Sequence, residues 1–289
     1  MSCKIPPITS PIYTSAVVFT SADAHVLMAR KKGTKRFMFP GGKPESGENP
    51  LECALREINE EIGLILDPRD MELLGIWQIE SANEPGIDVH CTVYLHTRPL
   101  EATPQACNEI AELAWLNPSK NLPACLSPLL RERVLPALGQ QGIISLPTSL
   151  CNKDLRWSIH HLPLTHVDQL LTADAVCRQC EQKKRISFIR FLQDLWTNEP
   201  IRRGDLYRLA DREGTSIAVM EIHRAQELPV NNTSAITTLP WDEEEVSYQQ
   251  RKRFYSARGR TFVNDSPAEH IEATIHSLPQ FHQNQTSHT

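Results

Sequence analysis

The stretch from Pro50 to Ile62 constrains this chain most, because it carries a start, a stop and two distinct faces of a helix. Asn49 is a favourable N-cap, Pro50 suits the first helical position, and Glu52 stands where a capping box places an acid. Gly63 ends the pattern. At roughly 100° per residue, Leu51, Leu55, Ile58 and Ile62 share one arc and face a core. Glu57, Glu60 and Glu61, at i, i+3 and i+4, gather on another.

Three carboxylates on one face repel unless something neutralises them. A solvated acidic surface is the ordinary reading of such a face. The chemical reading is a hard divalent cation with oxygen ligands, with Mg²⁺ (or Mn²⁺) suited to work beside a phosphate. Pro40-Gly41-Gly42, just upstream, must turn sharply, and glycine there lets a backbone carbonyl approach the same ion. Arg56 adjoins the acidic face and can orient a carboxylate through a bidentate pair.

Gly42, Glu48, Arg56-Glu57-Ile58, Glu60-Glu61 and Gly63-Leu64 stand at the spacings of the Nudix box, and the chain resembles that hydrolase superfamily. Such a match arises by chance on the order of 10⁻¹⁰ per window at average composition, which makes it specific. Phe39-Pro40-Gly41-Gly42-Lys43 before the box and Glu109 to Leu116 after it are similar to the family as well, so the resemblance covers about residues 11–137. It implies a mixed-sheet α/β/α sandwich that hydrolyses a nucleoside diphosphate linked to another moiety. By the same resemblance Glu57, Glu60 and Glu61 are metal ligands with the Gly41 carbonyl, while Glu48 and Arg56 support the loop and helix.

The base that activates water is open between Glu60 or Glu61 in the helix and Glu109 or Glu112 on the later segment, with Glu60 favoured. On the substrate side, Lys35, Arg36 and Phe37 can meet phosphates or a base, or can be an exposed basic loop and a core phenylalanine. Trp77 can stack on a base or fill the core.

Around the helix, the pattern predicts an α/β domain over residues 11–138. Strands are expected at Ala16–Phe19, His25–Ala29, Leu73–Trp77, Val89–Leu95 and Ile110–Leu116, and a closing helix at Pro128–Leu138. Residues 139–152 lack periodicity and read as a linker. Residues 153–268 read as an accessory α+β domain, with a helical pattern at Ile186–Leu192 and a hairpin from Asp205 to Ile222. The stretch Ile201 to Arg224 is similar to the ASCH domain, a PUA-like β-barrel whose implied partner is RNA. Residues 279–289 read as a polar, disordered tail.

Composition limits the alternatives. The net charge of -5, with neither half of the chain positive, gives no general attraction to nucleic acid or to an anionic membrane. No apolar run is long enough to span a bilayer and no signal-peptide pattern opens the chain, so the expected location is the cytoplasm. The 8 cysteines lack framework spacing and read as free thiols, and a lone Cys177–Cys180 CxxC completes no familiar zinc set. The expected substrate is a nucleotide-containing small molecule.

Overall fold

The computed structural model describes residues 11–80, 87–120, 122–147, 150, 155–166, 185–191, 200–211, 213–228 and 268–278. They fall into two compact units, residues 1–159 and 160–289.

In the first unit the chain runs β1 (Ile12–Val18), β2 (Val26–Lys31), β3 (Gly41–Gly42), α1 (Pro50–Ile62), β4 (Met71–Glu80), β5 (Asp88–His96), β6 (Ile110–Leu116) and α2 (Leu135–Gln140). Four strands make a mixed sheet in the order β3-β1-β5-β4, with β1 parallel to β5 and the other pairs antiparallel. β2 and β6 pair antiparallel as a second, two-stranded sheet. The two sheets are linked where Leu27 N–H, in β2, donates at 3.0 Å to the carbonyl of Phe19, the residue just past β1.

Ser15, Ala16, Val17 and Val18 are all buried, so β1 is covered on both faces and lies between layers. One face packs Ala16 and Val18 with Trp77, Val93, Leu130, Val134 and Leu138 in the main core. On the other layer α1 packs against β1, β3 and β5. Burying each large apolar side chain here contributes roughly 1.5–3 kcal/mol. The architecture is a mixed α/β sandwich, as the resemblance implies.

Some elements differ from expectation. The closing helix at Pro128–Leu138 is a π-helical turn, Leu130–Val134, that continues into α2. Pro136 explains the break, because it lacks the N–H that would bond four residues back and its ring crowds that carbonyl. The aperiodic stretch after α2 also packs on this unit where it is described. Ile144 is buried, and Trp77 Nε1 donates to Leu155 O at 3.4 Å.

The second unit holds a five-stranded sheet, in the order β7-β9-β10-β11-β8. Its strands are β7 (Leu164–His166), β8 (Arg185–Phe191), β9 (Leu206–Ala210), β10 (Ser216–Leu228) and β11 (Ala268–Ser277). The expected hairpin is the β9–β10 pair. The helical pattern expected at Ile186–Leu192 is overturned: Ile186 to Phe191 lie in β8, antiparallel to β11 from Phe191↔Ala268 to Arg185↔Thr274, and Leu192 lies outside the described residues. Ile, Phe and Ser in close alternation suit a strand as well as a helix over so short a run, and the ladder with β11 decides it. Tyr207, Leu209, Met220, Ile222, Ile271 and Ile275 form this unit's core. Cys177, Cys180, residues 182–184, 242–267 and the 279–289 tail lie outside the described residues. No helix among the described residues is long and apolar enough to cross a membrane.

Candidate active site

Local signals fix α1 where the sequence places it. The Asn49 side chain accepts from Glu52 N–H at 3.0 Å, and the Glu52 carboxylate accepts from Asn49 N–H at 2.9 Å, completing the capping box. Gly63, at φ 68°, ends the helix in the left-handed region and donates to Asn59 O. Leu51, Ile58 and Ile62 are buried as expected, whereas Leu55 is half-buried.

The acidic face is not uniformly solvated. Carboxylate oxygens of Glu57, Glu61 and Glu109 lie within 4.8 Å of one another. Glu61 is only 1% exposed. Its Oε2 accepts from Gly41 N–H at 2.7 Å, while its Oε1 is buried with no aligned hydrogen-bond donor. The cation facing Oε1 is the Lys31 ammonium, 2.9 Å away. That ammonium also lies 2.5 Å from Glu109 Oε1 and 3.4 Å from the Gly41 carbonyl. Burial pushes the Glu61 carboxyl up to about 7, against the opposing charge of Lys31. The hydrogen bond from Lys31 holds the Glu109 carboxyl below its ordinary value. Burial works to lower the Lys31 ammonium, but the hydrogen bond to Glu109 and the charge of Glu61 outweigh it and raise it.

Glu109 reaches this site through a backbone splice between β6 and α1. Cys107 N–H donates to Glu61 O and the Asn108 side-chain amide donates to Glu60 O, both at 2.8 Å. Two of the helix's terminal carbonyls thereby find donors, and the loop before β6 is held against α1. Lys32 N–H donates to Glu109 O, and Lys32 Nζ to Asn108 O at 2.6 Å, so the end of β2 is tied to the same loop.

Arg56 organises the other side. Its Nε and Nη2 meet the Glu48 carboxylate at 2.7 and 3.0 Å, its Nη1 meets Glu57 and Glu60 at 3.0 and 3.2 Å, and Nη2 also donates to Lys43 O. The guanidinium fork therefore fixes the 43–48 loop to α1. Its hydrogen bond holds the Glu48 carboxyl below its ordinary value.

The glycines sit where close approach requires them. A Cβ on Gly41, at φ 147°, would stand 2.2 Å from Ser15 O, and one on Gly42 would stand 2.3 Å from the Glu57 carboxylate.

Of the residues singled out in the sequence, Glu57, Glu61, Glu109, Gly41 and Arg56 converge. Glu60 stands apart from the three clustered carboxylates, with its side chain 50% exposed. Lys35 and Arg36 are exposed, while Phe37 is half-buried against the main core with the Arg30 guanidinium 5.9 Å from its ring centre. Trp77 is buried in that core and not available for stacking. Sequence reasoning gave no role to Lys31 or Asn108. Their signal lies in the pairing of Lys31 with Ile110, which brings the end of β2 beside Glu109 and is visible only once the β2–β6 register is known.

A family model described as the NUDIX domain matches residues 11–137. Residues 11–137 form a NUDIX domain. Among curated proteins, the chain is similar to an RNA pyrophosphohydrolase of Halorhodospira halophila, 41% identical over 59 residues. That alignment covers 20% of this chain and 32% of the relative. It is also similar to the human m7GpppN-mRNA hydrolase NUDT17, 30% identical over 203 residues, covering 63% of this chain and 59% of the relative. The chain spans about a third of the length of the RNA pyrophosphohydrolases it matches. Among solved structures it is similar to a MutT NUDIX hydrolase from Burkholderia pseudomallei, at 25% identity and a TM-score of 0.37. That similarity covers 46% of this chain and 98% of the other.

Proposed function

We propose that this protein is a metal-dependent pyrophosphohydrolase that cleaves a diphosphate linkage in a nucleoside diphosphate joined to another group. The observation that carries the reading is the convergence of Glu57, Glu61 and Glu109, whose carboxylate oxygens lie within 4.8 Å of one another with Glu61 almost wholly buried. A buried carboxylate oxygen among acids is costly unless a cation completes it. The donor set is all oxygen, which suits Mg²⁺ or Mn²⁺ better than a softer ion. In this reading Glu57, Glu61, Glu109 and the Gly41 carbonyl hold the metal. When bound, it neutralises phosphate oxygens and favours hydroxide formation from water.

The chain's own groups then position and move protons. Arg56 keeps Glu57 and Glu60 aimed at the site and holds the loop that carries Gly41 and Gly42. Glu60, solvent-accessible and outside the clustered trio, takes the proton from the attacking water. Lys35 and Arg36, exposed on the loop before the glycines, meet the outer phosphates of the substrate.

RNA pyrophosphohydrolases and an mRNA hydrolase stand among the relatives, so RNA 5′ ends join nucleotides as the substrate classes to test. The experiment is a panel with Mg²⁺ or Mn²⁺: (d)NTPs, ADP-ribose, dinucleoside polyphosphates, NADH, nucleotide sugars, 5′-triphosphate RNA and capped RNA. Products are resolved by chromatography, with Glu60→Gln as the blank. Metal-dependent release of a nucleoside phosphate, pyrophosphate or 5′-monophosphate RNA supports the proposal and identifies the leaving group. If RNA ends turn over best, rates that fall steeply with salt would show that basic side chains of the protein hold the RNA backbone. Silence across the panel from folded, metal-loaded protein would defeat it.

A further inference from the structure

Lys31 is the one charged group in the cluster that the proposed chemistry does not use, and its position is specific. It ends β2, and its ammonium is within 3.4 Å of three of the four groups assigned above to the metal: Glu61 Oε1, Glu109 Oε1 and the Gly41 carbonyl. Gly41 N–H already occupies Glu61 Oε2, so Oε1 is the oxygen left for a cation.

We propose that Lys31 is a tethered stand-in for the metal, filling the cation seat between Glu61, Glu109 and the Gly41 carbonyl until a divalent ion displaces it. The inference rests on the metal reading of the same site. An ammonium carries one charge on a flexible stem and can compensate Glu61 and Glu109 only in part; a divalent ion brings two charges and several coordination sites. Both cannot occupy the seat, so binding exchanges one cation for the other. The Lys31 side chain is 24% exposed and therefore has a path to water when it leaves. The exchange keeps the buried Glu61 compensated when no metal is present, and it sets the metal affinity lower than the carboxylates alone would give.

Lys32 supplies the control. It carries the same charge one residue on, but its Nζ is engaged with Asn108 O and not with a carboxylate. The experiment is Mn²⁺ titration of the metal-free full chain, read by the electron paramagnetic resonance of the free ion, on wild type, Lys31→Met, Lys31→Arg and Lys32→Met. Melting in EDTA and in saturating Mn²⁺ accompanies it. The expected result is that Lys31→Met binds Mn²⁺ about tenfold or more tightly, the scale on which one charge at contact distance shifts an equilibrium. Lys31→Met should also melt lower than wild type in EDTA, and recover in Mn²⁺. Lys31→Arg, which keeps a cation, should stay near wild type, and Lys32→Met should change affinity by about twofold or less, as expected for a screened charge. An unchanged or weaker affinity in folded Lys31→Met overturns the inference while leaving the metal reading standing, as does an equal gain in Lys32→Met. Absence of Mn²⁺ binding in every protein, wild type included, overturns the metal reading and the inference together.

Discussion

The Asn108 side-chain amide donates to the main-chain carbonyl of Glu60 at 2.8 Å, joining the residue before Glu109 to the last turn of α1. Asn108 itself is held at φ 44°, a conformation asparagine tolerates better than most residues. Removing its side chain breaks the hydrogen bond and leaves the backbone strained. Asn108→Ala should therefore destabilise the protein by about 1–2 kcal/mol in urea unfolding. It should also weaken divalent-metal binding, because Glu109 loses its anchor. Asn108→Gly keeps the backbone geometry without the amide, so comparing the two variants separates strain from the lost bond.

Arg56 spans more partners than a point charge can. An ammonium at this position cannot hold Glu48, Glu57, Glu60 and Lys43 O together. Arg56→Lys should cost about 1–3 kcal/mol of stability and lower kcat far more than it raises KM, since the lost function is positioning. A variant with wild-type stability and turnover would show that the fork has no organising role.

Adjacent glycines should fail differently. A side chain on Gly41 meets backbone at Ser15 O, so Gly41→Ala must disturb the β1–β3 pairing and cost several kcal/mol. A side chain on Gly42 meets the Glu57 carboxylate, which can swing aside. Gly42→Ala should keep more stability yet bind Mn²⁺ more weakly. Thermal melts and metal titrations on the pair check both halves.

Glu61 gives the metal-free protein a specific pH dependence. Its carboxyl is raised to about 7 in the fold, chiefly by burial, so the protonated form is the one folding favours. The stabilisation is present at low pH and is lost as pH rises through 7. Lys31 is raised above its ordinary range and Glu109 is lowered, so neither changes charge between pH 6 and 8. In EDTA, wild type should therefore lose on the order of 1 kcal/mol more stability than Glu61→Gln between pH 6 and pH 8. Metal binding should show the opposite trend, strengthening as pH rises because the ion competes with the proton. Parallel pH profiles for wild type and variant would contradict the assignment.

The helix and its box were legible in the sequence because their signals are local: Asn49, Pro50 and Glu52 start α1, Gly63 stops it, and the acids recur at helical spacing. β6 was legible at its own boundaries, Ile110–Leu116, as a short run of apolar residues broken by a single acid. The burial of Glu61 was not, since it depends on Gly41 folding over the helix. Nor was the role of Lys31, which depends on strand register across nearly eighty residues. Ile186–Phe191 was misread for the same reason, as only pairing with β11 distinguishes a short apolar strand from a helical turn.

The measurement that tests the account most directly is kcat of Glu61→Gln against wild type, on the best substrate of the panel, with Mg²⁺ present and with EDTA. Wild type should turn over only with the metal, and the folded variant should lose turnover by about 100-fold or more, as expected when a group that holds the charge-stabilising centre is removed. Wild-type turnover that persists in EDTA, or a Glu61→Gln variant with near-normal kcat, would contradict the claim that this buried carboxylate holds the metal for hydrolysis.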